Sequence, residues 1–288
     1  MIAHVAAAGE QRGRVVLHLT HGATSSVALE AAMRVAQAFQ SEIESQFVED
    51  LQLIELAAFP FAREISLNGQ RTVPLSPERI AEDMRHAASA LHRQIRELAR
   101  RSDVPYRATI VRDEPVRAVA RACAECGPWN VVALAEPLGA GSGVLLRDLF
   151  AAVGGTTGVV VVGPNAKRTT GPVTVEVETI TDVEPMLRAA RRLLPVTGST
   201  TITLLIVARS EAETMEMEDQ ARLVIGADGV TQIARATLAH GAPIELAERL
   251  RRSGSGFILA RFGGLLVPAD GDISHLTLAL ECPLFLMR

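Results

Sequence analysis

The chain has 288 residues, 48% of them apolar and 3% aromatic, with three cysteines and a formal net charge of −4. That length suggests about two domains with ample core, and the charge excludes a surface-wide attraction for nucleic acid or an anionic membrane. The scarcity of aromatics disfavours stacking platforms for single strands, and no apolar run approaches the ~20 residues of a spanning helix.

Residues 15–19, Val-Val-Leu-His-Leu, read as a fully buried strand. A polar turn leads into a helix predicted over 27–39, apolar at Leu29, Met33, Ala36 and Ala38, with Ser25 or Ser26 as N-cap. A second strand is expected over 43–48. Residues 49–76 then break the rhythm: Leu51, Leu53, Ile54, Leu56, Phe59 and Phe61 form an apolar stretch, Asn68-Gly69 signals a turn, and Pro74 and Pro77 punctuate a loop. Pro77 at the first helical position opens a long helix to about residue 101. A strand over 106–111, a helix over 114–126 and a strand over 131–135 follow. The glycine-rich loop 139–143 enters a helix over 144–153, and the strand at 159–162 closes this half.

Residues 163–171 read as a linker between domains at 1–165 and 171–288. The second half repeats the order with shorter parts. Its strands are expected near 173–177, 201–207, 231–238, 256–260 and 284–287, and its helices near 182–194, 211–225, 243–252 and 273–280. Alternating apolar runs and amphipathic segments argue for βαβ units around a parallel sheet. The fold class is therefore α/β, as two tandem doubly wound, three-layer α/β/α domains. Both closing strands are apolar throughout and would be hazardous free edges. They are expected to pair antiparallel and join the halves as an intramolecular pseudo-dimer; a further homodimer stays open.

The order of elements, the stretches 15–39 and 116–135, and the closing Glu281-Cys282-Pro283-Leu284-Phe285-Leu286-Met287 resemble the universal stress protein family in its tandem-domain form. The resemblance covers nearly the whole chain. It implies a stress-response role, and it divides the family into members that bind ATP or AMP and members that do not. Binders carry an aspartate at the end of the first strand and a glycine motif after the fourth. Here Thr20 holds the aspartate's place, and the motif spacing after Gly139 is not met. The cofactor-site candidates are Thr20, Val48, Gly139, Gly141, Ser142 and Gly143. A glycine turn feeding a helix N-terminus can cradle a phosphate, or it can be a strand-to-helix turn with no ligand. In the second half Gly271-Asp272 stands where the family has Gly-Ser, and a carboxylate there would repel phosphate. That half is expected to be structural or regulatory.

Other chemistry finds little support. Cys123 and Cys126 form a CxxC with no second ligand pair at zinc spacing, so both are expected to be structural, on a helix face shared by Val116, Val119 and Ala120. His18 is expected to be a satisfied core or pocket residue, and His21 and His240 loop residues. No catalytic triad, nucleophile elbow or P-loop appears. The arginines at 96–101 and 249–252 are expected to be solvated helix faces. The chain is thus expected to be a cytoplasmic, non-enzymatic protein. It would bind no metal and no cofactor, or else ATP or AMP as a sensor, and its partners would be a small nucleotide or an unidentified protein. Three cysteines and the lack of a leader suggest the reducing cytosol.

Overall fold

The computed structural model describes residues 13–20, 24–66, 72–124, 130–135, 143–153, 156–238, 243–269 and 273–288. In chain order the first half has β1 (Arg14–Leu19), α1 (Ser26–Ala38), β2 (Glu42–Asp50), α2 (Leu51–Ala57), β3 (Arg63–Ile65) and β4 (Thr72–Pro74). It continues with α3 (Pro77–Arg101), β5 (Tyr106–Asp113), α4 (Pro115–Ala124), β6 (Asn130–Leu134), α5 (Gly143–Ala152) and β7 (Thr156–Val161). The second half has β8 (Val173–Val177), α6 (Ile180–Thr197), β9 (Ile202–Ala208), α7 (Glu211–Ile225) and β10 (Thr231–Thr237). It ends with α8 (Pro243–Arg252), β11 (Phe257–Arg261), α9 (Ser274–Ala279) and β12 (Leu284–Met287).

Local chemistry sets the helix starts. Ser25 accepts the amide of Ala28, Asp50 that of Gln52, Ser76 that of Arg79 and Ser210 that of Glu213, each supplying an acceptor to an otherwise orphaned N–H. The expected end of α6 at 194 is overrun: the helix continues through Pro195 to a left-handed Gly198 at φ 67°. Buried Leu193 and Thr197 hold that last turn against the core. Two elements were not anticipated. β3 and β4 pair as an antiparallel hairpin inside the stretch read as a loop.

Ten strands form one sheet in the order β10-β9-β8-β11-β12-β7-β6-β1-β2-β5. Each half contributes five parallel strands in the same relative order. The closing strands β7 and β12 pair antiparallel, Val160 beside Phe285 and Val159 beside Leu286, as their apolar character led us to expect. The strands bury alternate residues on two faces. Val15, Leu17, Leu19 and Phe285 face α1, α3 and α6, while Val16, Val132, Leu284 and Leu286 face α4, α5, α8 and α9. Both cores run through both halves. Arg34 of α1 clamps them on one side, donating to Thr169 Oγ1 at 2.7 Å and to the Val196 carbonyl.

The arginine clusters are solvated, as expected: Arg100 and Arg101 both bind Glu97 at 2.9 Å, and Arg252 binds Glu248 at the same distance. On α4 the buried seam is Ala118, Val119, Ala122 and Cys123, with Val116 and Ala120 only half-buried. Cys126 lies outside the described residues.

Candidate ligand sites at the strand ends

In an open α/β sheet the ligand crevice lies beyond the carboxyl ends of the strands, where strand order reverses. Here the reversal occurs twice, at β1 between β6 and β2 and at β8 between β11 and β9. Register makes the two positions equivalent: His18 stands beside Gln46 and Leu19 beside Phe47, while Glu176 stands beside Leu205 and Val177 beside Ile206. One step further, Thr20 and Glu178 end matching strands, with Val48 and Val207 as their neighbours.

In the first half, Thr20 is half-buried at the end of β1. Val48 has no exposed surface and lies inside the β2–β5 ladder beside Val111, so neither its side chain nor its backbone is open to a ligand. The amide of Ser25 donates to the Ala135 carbonyl at 2.8 Å, tying the start of α1 to the end of β6 across the reversal. Gly143 is the first residue of α5. Gly139, Gly141 and Ser142 lie outside the described residues, as do His21 and His240.

His18 departs from the satisfied core residue that was expected. It is 7% exposed, and among the described residues neither its Nδ1 nor Oε1 of Gln46 on the neighbouring strand has a hydrogen-bond partner. Burial pushes its pKa from 6.5 down to about 4, so the ring is neutral in the native state. The unfolded chain takes up this proton below pH 6.5 and the folded protein resists it until about pH 4. Stability is therefore full above 6.5 and falls through that window, by roughly 3 kcal/mol at about 1.4 kcal/mol per unit. We expect His18→Gln to flatten this acid limb in pH-dependent urea unfolding. A variant curve parallel to that of wild type would show that His18 carries no such cost.

The second half holds a cavity of about 440 Å³ at its reversal, lined by Glu178, Val207, Ala208, Arg209, Glu213 and Leu265 among others. The Glu178 carboxylate accepts the backbone N–H groups of Leu265 and Leu266, the latter at 3.1 Å. Gly264 passes so close that a Cβ there would sit 2.5 Å from Glu178 Oε1, so a side chain at this point would make that carboxylate swing aside. Successive backbone amides of this kind form an anion nest, and the chain's own carboxylate already fills it. Glu213 faces the same cavity and accepts the Arg209 amide at 3.1 Å. Phosphate is thus disfavoured here by Glu178 and Glu213. Asp272, to which the sequence assigned that repulsion, lies outside the described residues. Glu178 was missed, although a strand-by-strand alignment of the halves puts it opposite Thr20.

Beneath Glu178, Glu176 is 0% exposed; among the described residues neither carboxyl oxygen makes a hydrogen bond of ordinary geometry, its nearest polar neighbours being the Glu178 carboxylate and the Arg261 backbone. Burial, and then the Glu178 charge, raise its pKa well above the ordinary 4.5, favouring the protonated form.

Among the described residues no three His, Cys, Asp or Glu side chains converge to hold a metal. The Cys123 carbonyl accepts Nδ2 of the buried Asn130 at 3.0 Å. Burial pushes the Cys282 thiol up to about 12, which leaves it unreactive. No helix among the described residues is long and apolar enough to cross a membrane.

The insertion after β2 is largely exposed. Phe59 and Phe61 are 51% and 75% exposed and stack on each other at 5.4 Å, which rules out a segment that simply closes the core. Leu53 and Ile54 anchor it by packing against that core. The second half has no counterpart, since β9 ends at Ala208 and α7 starts at Glu211.

No protein-family model and no curated protein matches the sequence. Solved structures do match in shape. A universal stress protein from Archaeoglobus fulgidus superposes with a TM-score of 0.60 at 14% identity, covering 95% of this chain and 96% of its own. A putative universal stress protein from Pseudomonas aeruginosa gives 0.55 at 14% identity, over 96% of this chain and 93% of its own. The cytoplasmic domain of a prokaryotic cation chloride cotransporter gives 0.57 at 9% identity, over 96% and 95%. One architecture thus serves in proteins of different kinds. With its doubly wound α/β sheet matched along almost its whole length, this chain has the universal-stress-protein fold.

Proposed function

We propose that the chain is a cytoplasmic, non-catalytic tandem protein of universal-stress type, with domains at 1–165 and 171–288, acting in stress response by binding a ligand or partner at the first half's strand ends. The observation that carries this reading is the asymmetry between the two reversal points. The second is occupied by its own Glu178, whereas beside the first stands an insertion that exposes two stacked phenylalanines. Exposed apolar surface beside a ligand crevice marks a lid or a docking surface.

We expect Phe59→Ser with Phe61→Ser to leave the melting temperature within about 2 °C, because the side chains are mostly exposed, and to lose the partner or ligand that the wild type retains. A collapse in stability would assign the segment to the core. A folded variant with unchanged partners and ligands would remove the functional reading.

The second reading is an ATP or AMP sensor. It is favoured by α5, which starts at Gly143 directly after the glycine run and so offers a helix N-terminus to a phosphate. Equilibrium dialysis with labelled ATP separates the two. Saturable binding of one nucleotide per chain, lost in Gly141→Asp, would establish the sensor; its absence leaves the first reading.

A further inference from the structure

On the seam between the halves, away from both strand-end sites, lies a cavity of about 270 Å³ lined by Phe39, Val131, Pro185, Arg188, Ala189, Arg192, Phe285 and Met287. Its floor is formed by Val131 of β6 and by Phe285 and Met287 of β12. Gly158 of β7 is in register with Val131 on one side and Met287 on the other, and its missing side chain leaves room for the Phe285 ring, which packs over it. Its wall is one stripe of α6: Pro185, Arg188, Ala189 and Arg192 fall at i, i+3, i+4 and i+7, on the same helical face. Phe39, capping α1, closes the opposite side and meets Phe285 edge-on at 6.3 Å.

The interior is apolar and the mouth is cationic. Arg188 binds Glu184 at 3.1 Å, and Arg191, on a different face, binds Glu184 and Asp228. Arg192 has no carboxylate partner among the described residues; its guanidinium rests over the Phe39 ring at 5.5 Å. An exposed cation held at the rim of an apolar hollow matches a ligand with an anionic head and an apolar tail. The volume is nearly twice the ~150 Å³ of an apolar cavity that holds benzene.

We propose that this cavity binds an apolar-tailed carboxylate, its tail lying between Phe39, Phe285 and Met287 and its head on Arg192. The site uses neither strand-end crevice, so it stands or falls independently of nucleotide binding.

The test is calorimetric titration of the full chain with decanoate and with decylammonium, the same tail carrying the opposite charge. Saturable binding of one decanoate per chain is expected, at least tenfold tighter than decylammonium. Arg192→Gln should remove that preference by weakening decanoate about tenfold, and Ala189→Leu should abolish binding by filling the hollow. Because Ala189 is buried, its variant counts only if it melts as the wild type does; the exposed Arg192→Gln decides the matter otherwise. No saturable decanoate binding, equal binding of the two amphiphiles, or an Arg192→Gln variant that binds as wild type would each overturn the proposal.

Discussion

Replacing Glu176 by Gln is expected to stabilise the protein near neutral pH and to change little below about pH 4.5. Glu176 sits on β8 with no exposed surface, under the Glu178 carboxylate, and among the described residues neither of its oxygens makes a hydrogen bond of ordinary geometry. Burial and that neighbouring charge hold its native pKa well above 4.5. Above 4.5 the unfolded chain releases the proton while the native state keeps it, so the unfolded state binds fewer protons and stability falls as pH rises. Stability linked to this group is full below 4.5 and is lost progressively up to the native pKa. Glutamine has no proton to lose, so the alkaline decline should flatten, with a gain of about 1.4 kcal/mol for each pH unit between 4.5 and the native pKa. Urea unfolding of wild type and variant across the pH range reads this directly. Parallel curves would mean that Glu176 is ionised in both states and that its surroundings are more polar than their burial indicates. The opposite slope expected from His18, at the equivalent position in the first half, gives the measurement an internal contrast.

Gly158→Val is expected to cost about 3 kcal/mol, the upper end for forced overpacking, and to damage the seam between the halves. A Cβ on Gly158 would press into the Leu286 carbonyl oxygen and stand 2.6 Å from the Phe285 ring. Neither neighbour can yield easily. The carbonyl belongs to the β7–β12 ladder, and Phe285 is fully buried in the core shared by both halves. Thermal unfolding followed by circular dichroism should show a large drop in midpoint. It should also show a second transition if the halves melt apart once β7 and β12 no longer pair. A variant that melts as wild type does would mean that the ladder relaxes at this point and that the seam does not depend on a missing side chain.

Sequence alone determined the elements whose residues are both periodic and buried. The strands at 173–177 and 284–287 and the helices at 211–225 and 243–252 end where the pattern put them, because apolar spacing and a terminal Ser or Pro are local signals. The antiparallel join was also legible, since two wholly apolar edge strands have to be covered. The β3–β4 hairpin was not, because three-residue strands exposed along their length carry no periodicity. Of the candidate site, Thr20 was placed correctly just past the end of β1, whereas β2 runs on to Asp50 and leaves Val48 inside the strand, and Glu176 and Glu178 passed unnoticed. In Val-Thr-Val-Glu-Val the glutamate looks like the outward residue of an alternating strand. Only the tertiary structure decides otherwise: α8 and α9 cover that second face, and burial raises the pKa of an apparently solvated carboxylate. The same holds for the loop amides around Glu178 and the hollow between Phe39, Phe285 and α6. Both arise where residues distant in the chain come within a few ångströms, and no local pattern records that proximity.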